Sequence, residues 1–132
     1  MTRCVLDAST AVEILLATDA GQQALDIISD DTACVPHLFD VEVLSVLRRL
    51  TYRSELDRVR ATEAVEDLVT WPLMRFEHTH VLNEMWQLRD SASAYDSAYA
   101  ALAIVLDLPL LTSDSPLTRA GVSGLRVLTV TA

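Results

Sequence analysis

The sequence has no lysine; all ten basic residues are arginines. That absence excludes mechanisms built on a lysine amine: P-loop phosphate binding, Schiff-base chemistry and the receiver-domain type of phosphoacceptor site. Cysteine is scarce too, with only Cys4 and Cys34. Neither belongs to a CxxC or Cys/His spacing, so a thiolate metal site is not expected. Each sits in an apolar, strand-like run and reads as a small buried hydrophobe. No uncharged apolar run approaches the roughly 18–20 residues of a membrane helix. No basic n-region or apolar h-region precedes the first strand. These features predict a soluble, cytoplasmic protein with no membrane partner. There is no repeat, low-complexity tract or linker, and 132 residues suit one domain spanning 1–132.

Cationic charge is sparse and uneven. A net charge of −9 argues against a protein that grips nucleic acid over a broad basic face. Five arginines (Arg48, Arg49, Arg53, Arg58, Arg60) stand against Glu55 and Asp57, so that window carries +3 and the remainder −12.

What is present is an alternation of short apolar runs and amphipathic ones. Residues 3–6 form a strand that ends on Asp7. A helix is expected over Ser9–Ala17, with Thr10 and Glu13 at capping-box spacing, and a second helix follows to about Ser29. A strand over Thr32–Val35 stops at Pro36. The segment His37–Tyr52 has apolar residues at 38, 41, 44 and 47, a helical stripe. Asp40 reads as solvent-facing there, whereas Glu42, between Leu38 and Val46 at i−4 and i+4, lies on or beside the stripe. Ser54 is expected to cap a helix to Thr70, with Leu56, Val59, Val65, Leu68 and Val69 inward. A strand over Leu73–Phe76, a helix over His80–Leu88 and the most apolar helix, Ala94–Leu106, come next. Leu110–Thr112 repeats the opening design, a strand ending on an acid, Asp114. A short helix at 116–120 and a strand over Leu125–Val130 follow. The alternation implies α/β architecture: a mainly parallel, doubly wound sheet with helices on both faces.

Four carboxylates stand out by context. Asp7 and Asp114 follow apolar strands, at the carboxyl edge where open α/β sheets bind ligands. Glu42 projects from an apolar helix face. Asp96 lies in the first turn of the most buried helix. Each has a plain structural role open to it: turn or N-cap for Asp7 and Asp114, the third position of a Ser93 capping box for Asp96, an outward ion pair with Arg49 for Glu42. Taken together, two acids at strand ends and two on helices above them could share one small volume. Clustered carboxylates repel unless a cation compensates. All-oxygen ligands favour a hard ion, Mg²⁺ or Mn²⁺, the usual equipment for phosphodiester hydrolysis. Ser9 and Thr112, each two residues from an acid, could orient a carboxylate or a water. A helix-capping role explains Ser9 equally well. No second acid stands two residues after Asp7, which disfavours a phosphatase of the DxD kind.

These blocks carry a resemblance. Val5-Leu6-Asp7-Ala8-Ser9, the run from Val35 to Leu44 with Leu47-Arg48-Arg49, the run from Tyr95 to Ala103, and Leu110-Leu111-Thr112-Ser113-Asp114 together resemble PIN-domain proteins of the VapC toxin type, from VapBC toxin–antitoxin pairs. The likeness covers essentially the whole chain. It implies a three-layer PIN fold with a five-stranded sheet in the order 3-2-1-4-5. It further implies a magnesium-dependent endoribonuclease toxin that cuts tRNA or another structured RNA and so inhibits translation. Asp7, Glu42, Asp96 and Asp114 would be the metal-binding and catalytic set. The expected partners are RNA, a second copy in a homodimer, and a VapB-type antitoxin in a toxin–antitoxin hetero-oligomer. Arg48, Arg49 and Arg53 are candidates for contacts with RNA phosphates or the antitoxin, or are simply solvated. Trp71 and Trp86 read as core or dimer-interface residues. A PIN-type nuclease acting on DNA or flap structures, and a catalytically silent PIN-like binding module, are the alternatives.

Overall fold

The strands are short because each apolar run stops within a few residues at an acid, a proline or a turn. The computed structural model describes residues 3–28, 32–113 and 116–131. In it β1 (Val5–Leu6), β2 (Cys34–Pro36), β3 (Met74–Phe76), β4 (Leu110–Thr112) and β5 (Val127–Thr129) form one sheet. All four strand pairings are parallel, in the expected order β3-β2-β1-β4-β5. The central strands β1, β2 and β4 are fully buried, as parallel strands covered on both faces must be.

Among the described residues six α-helices cover the sheet: α1 (Ala8–Leu15), α2 (Asp19–Ile28), α3 (Leu38–Tyr52), α4 (Arg58–Thr70), α5 (Leu82–Gln87) and α6 (Ala94–Leu106). The chain steps from β1 to β2 to β3 in one direction and then reverses to β4. Right-handed crossovers therefore place α1–α4 on one face and α5 and α6 on the other. Packing agrees: α1 touches α2, α3 and α4, whereas α5 packs on α6. The buried side of α6 carries Ala98, Ala100, Ala101 and Ala103. Their small side chains let the helix lie against β1, β2 and β4 together. The reversal puts a topological switch point between β1 and β4, where such sheets open a crevice for ligands.

Several local expectations shift. α1 starts at Ala8 and is capped by Asp7 itself, whose Oδ1 accepts the Thr10 amide at 2.9 Å. With that donor taken, no Thr10–Glu13 capping box forms, and the Glu13 carboxylate instead accepts the Thr18 hydroxyl. On α3 the buried residues are Phe39, Val43 and Leu47, spaced by four. Val41 and Leu44 are 68% and 44% exposed. Docking the helix by Phe39 turns the expected stripe half out of the core. α4 is capped by Asp57, not Ser54, because Ser54 takes a left-handed φ of 57° in the turn after α3. Its inner face is Ala61, Ala64 and Leu68, and Val59 and Val69 face solvent. Asp40 is not simply solvated: Arg75 of β3 grips it through two hydrogen bonds of 2.7 and 2.9 Å. Cys4 and Cys34 are buried as expected, and burial pushes the Cys34 thiol pKa up. Trp71 packs against the core, whereas Trp86 is exposed beneath the Arg89 guanidinium.

Gly21 sets the approach of α2 to α1. A Cβ built there would lie 2.1 Å from the Glu13 carbonyl oxygen, a backbone atom that cannot swing away. Gly21→Ala is therefore expected to destabilise. Alanine gains about 1 kcal/mol of helix propensity, but prising the helices apart costs about 3 kcal/mol, the upper end for overpacking. The urea midpoint should fall. An unchanged midpoint would show that the helices separate freely.

Candidate active site

Asp7 is held from both sides of the switch point. Oδ1 accepts the Thr10 amide and, at 3.2 Å, the Ser9 hydroxyl. Oδ2 accepts the hydroxyl of Thr112, fully buried at the end of the neighbouring strand β4. Among the described residues three donors thus fix the carboxylate, two on Oδ1 and one on Oδ2, which leaves Oδ2 a second lone pair. Ser9 touches the acid two residues before it, whereas Thr112, two residues before Asp114 in sequence, bonds Asp7 on the neighbouring strand end.

Glu42 is half-buried near the start of α3. Its Oε1 accepts the Tyr99 hydroxyl at 2.5 Å, linking α3 to α6 across 57 residues. Burial raises its carboxyl pKa above the ordinary 4.5, and the charges of Asp96 and Asp7 raise it further against the Tyr99 hydrogen bond. Asp96 sits in the first turn of α6, its amide donating to the Ser93 cap at 3.1 Å. Its pKa too is raised above 3.8, first by burial and also by Asp7, with a Ser93 hydrogen bond opposing. Tyr99 is buried, and burial together with the Glu42 hydrogen bond pushes its phenol far up, so it stays a proton donor.

One cleft of about 220 Å³ is lined by Asp7, Glu42, Asp96, Ser9 and Tyr99, with Ser45 and Arg49 beside them. Pro116 and Leu117 help close it. The structure thus brings three of the four singled-out acids together; Asp114 lies outside the described residues. Of the three singled-out arginines, Arg49 lines the cleft. Arg48 stacks on Tyr52 at 4.6 Å and faces a second groove, between α3 and α4. Arg53 caps the end of α3. Glu13 does not line the cleft.

Tyr99 and Ser45 were not singled out from sequence. A phenol hydroxyl on the largely apolar buried face of α6, which carries only Ser97 as a second hydroxyl, is the signal that could have found Tyr99.

The donor set suits a hard divalent ion. Carboxylate oxygens are the ligands Mg²⁺ prefers, and the cost of holding Glu42 and Asp96 charged, chiefly burial and then repulsion between the acids, is what such an ion offsets. Among the described residues no three such side chains close into a finished metal cage. Mg²⁺ does not require one: it keeps several waters and is often bound through one or two carboxylates plus substrate phosphate.

The PIN domain family profile matches residues 4–122. Ribonuclease VapC1 of Mycobacterium tuberculosis is 38% identical over 122 residues, covering 91% of this chain and 92% of that one. A toxin–antitoxin complex from Klebsiella pneumoniae superposes with a TM-score of 0.66 at 18% identity, over 96% of each chain. VapBC2 from Rickettsia felis, bound to a DNA fragment from its promoter, gives 0.64 at 12% identity, over 96% of this chain and 97% of that one. These two structures are similar in fold.

Proposed function

Because the chain belongs to the PIN-domain ribonucleases of the VapC type, we propose that it is a magnesium-dependent endoribonuclease, the toxin of a type II toxin–antitoxin pair. Its substrate in this reading is tRNA or another structured RNA, whose hydrolysis inhibits translation. The observation that supports it is the convergence of Asp7, Glu42 and Asp96 on one cleft from three separate elements.

In the proposed mechanism these three carboxylates hold Mg²⁺, or Mn²⁺ in its place, with Asp114 as a fourth ligand. When bound, the ion supplies a Lewis acid for the phosphoryl oxygen and positive charge against the charge that develops in the transition state. The protein's own groups do the rest. Ser9 and Thr112 keep Asp7 in one orientation. Tyr99 does the same for Glu42 and leaves Oε2 for the cleft. Arg49 supplies a permanent cation within reach of a phosphate. Arg48 and Arg58, in the groove of about 390 Å³ between α3 and α4, support a docking surface for a VapB-type antitoxin. Exposed Leu82 and Trp86 on α5 support a homodimer.

The test is to incubate purified protein with total RNA, with or without Mg²⁺, and with DNA as the control substrate. Discrete RNA fragments that require the cation and vanish with chelator are expected. Intact RNA, or equal cutting of DNA, would overturn the reading.

A second readout is stability. Glu42 and Asp96 have folded pKa values above their unfolded ones, so the fold prefers them protonated. That contribution is present at acidic pH, below the ordinary carboxylate range, and is lost as pH rises through the raised values. The metal-free chain is therefore expected to melt lower as pH rises from the ordinary carboxylate range toward neutrality. Asp96→Asn should flatten that slope. At neutral pH, Mg²⁺ at a hundredfold excess over Kd should add about 2.7 kcal/mol to the wild type, and much less to the variant. Equal gains in both would place the ion elsewhere.

A further inference from the structure

Resting on the ribonuclease reading, we infer that a nucleobase next to the scissile phosphate stacks in the apolar pocket that adjoins the acid cleft. The pocket encloses about 630 Å³, nearly three times the cleft, and Glu42 and Ser45 line both. Its other walls are His37, Leu38, Val41, His78 and Tyr95.

The sheet's topology builds this pocket. His37 follows the end of β2, and His78 lies just past the end of β3. Tyr95 is in the first turn of α6, one residue before Asp96. Pocket and cleft therefore share the carboxyl edge of the sheet, and the pocket walls on α3 and α6 are tied by sequence to the cleft acids Glu42 and Asp96. A strand whose phosphate lies in the cleft has its neighbouring base within reach of these rings.

Charge supplies the second argument. At −9, with no lysine, the protein cannot draw its affinity for RNA chiefly from counterion release. Base stacking on aromatic faces is the alternative, and it tolerates a negative protein because bases are neutral. Tyr95 is 65% exposed beside Val41 at 68%, so a flat ring and an aliphatic floor stand open to solvent. His78, which lines the pocket, has its Nδ1 buried without a hydrogen-bond partner among the described residues.

The test measures binding of a structured RNA by anisotropy in the Asp7→Asn background, so that the RNA stays whole. Tyr95→Ala is expected to weaken binding about 5- to 150-fold, the range for losing one stacked base. The slope of affinity against salt should not change, since no phosphate contact is lost. Tyr95→Phe should restore binding, and 4-thiouridine placed next to the cleaved bond should crosslink to Tyr95. Unchanged affinity in both Tyr95→Ala and Val41→Ala, with wild-type protein that cuts RNA, would overturn the inference. Loss of affinity together with a changed oligomeric state by light scattering would overturn it too, assigning the face to a second copy. If the wild type cuts no RNA, the ribonuclease reading fails first and this inference falls with it.

Discussion

Asp7→Asn is expected to lower RNA cleavage at least about 10²–10³-fold, the loss of several kcal/mol of transition-state stabilisation, while the fold survives. Asparagine is as good an N-cap as aspartate, so the Thr10 amide keeps its acceptor and α1 its start. What disappears is the negative charge at the point where α1 and β4 jointly fix it. Thr112→Val makes the contrast. The carboxylate stays charged but loses its tether to β4, and a supporting contact of this kind is worth about 10–100-fold. Single-turnover rates on one RNA, beside thermal melts of both variants, measure the pair. The expected order is wild type, then Thr112→Val, then Asp7→Asn. Near wild-type cleavage by Asp7→Asn would move the reacting phosphate out of this cleft.

Phe39→Ala is expected to cost about 3–5 kcal/mol from a total that for such domains is about 5–15 kcal/mol. The side chain is fully buried in the core at the start of α3 and, among the described residues, is the largest of those wholly enclosed. It is also the residue that docks the helix carrying Glu42. Phe39→Leu should cost less than about 1.5 kcal/mol, because most of the volume stays filled. Urea titration separates the two: the midpoint should drop with little change in slope. A loss below about 1 kcal/mol for alanine would mean that the neighbouring chains collapse into the vacated space.

The sequence was most legible where a short apolar run met an acid. β1, β2, β4 and the whole of α6 lie where the apolar runs put them, and Ser93 caps α6 as its hydroxyl and spacing suggested. The order of strands came from the family resemblance; alternation alone left it open. Local pattern failed where tertiary docking chooses the face. Residues 38, 41, 44 and 47 repeat every three, and an α-helix turns every 3.6, so one face cannot bury them all. The core took Phe39 and its neighbours four residues on. Val59 and Val69 were misplaced for the same reason. The site divides in the same way. The acids were visible by context, but the donors from distant elements were only partly so. Thr112 was suspected from its closeness to Asp114, yet it bonds Asp7, 105 residues away. Tyr99 meets Glu42, and Arg75 meets Asp40, across separations of 57 and 35 residues that no local pattern reveals.

The bond from Thr112 to Asp7 also orders events during synthesis. Asp7 leaves the ribosome 105 residues ahead of its β4 partner, an interval of roughly 5–20 s at ordinary elongation rates. Asp96 and Tyr99 emerge only slightly before Thr112. Parallel pairing of β1 with β4 must wait for this last segment, and pairings so distant in sequence form slowly. A nascent chain therefore carries its first acid long before it has a cleft. The proposed nuclease has no assembled cleft until β4 has emerged.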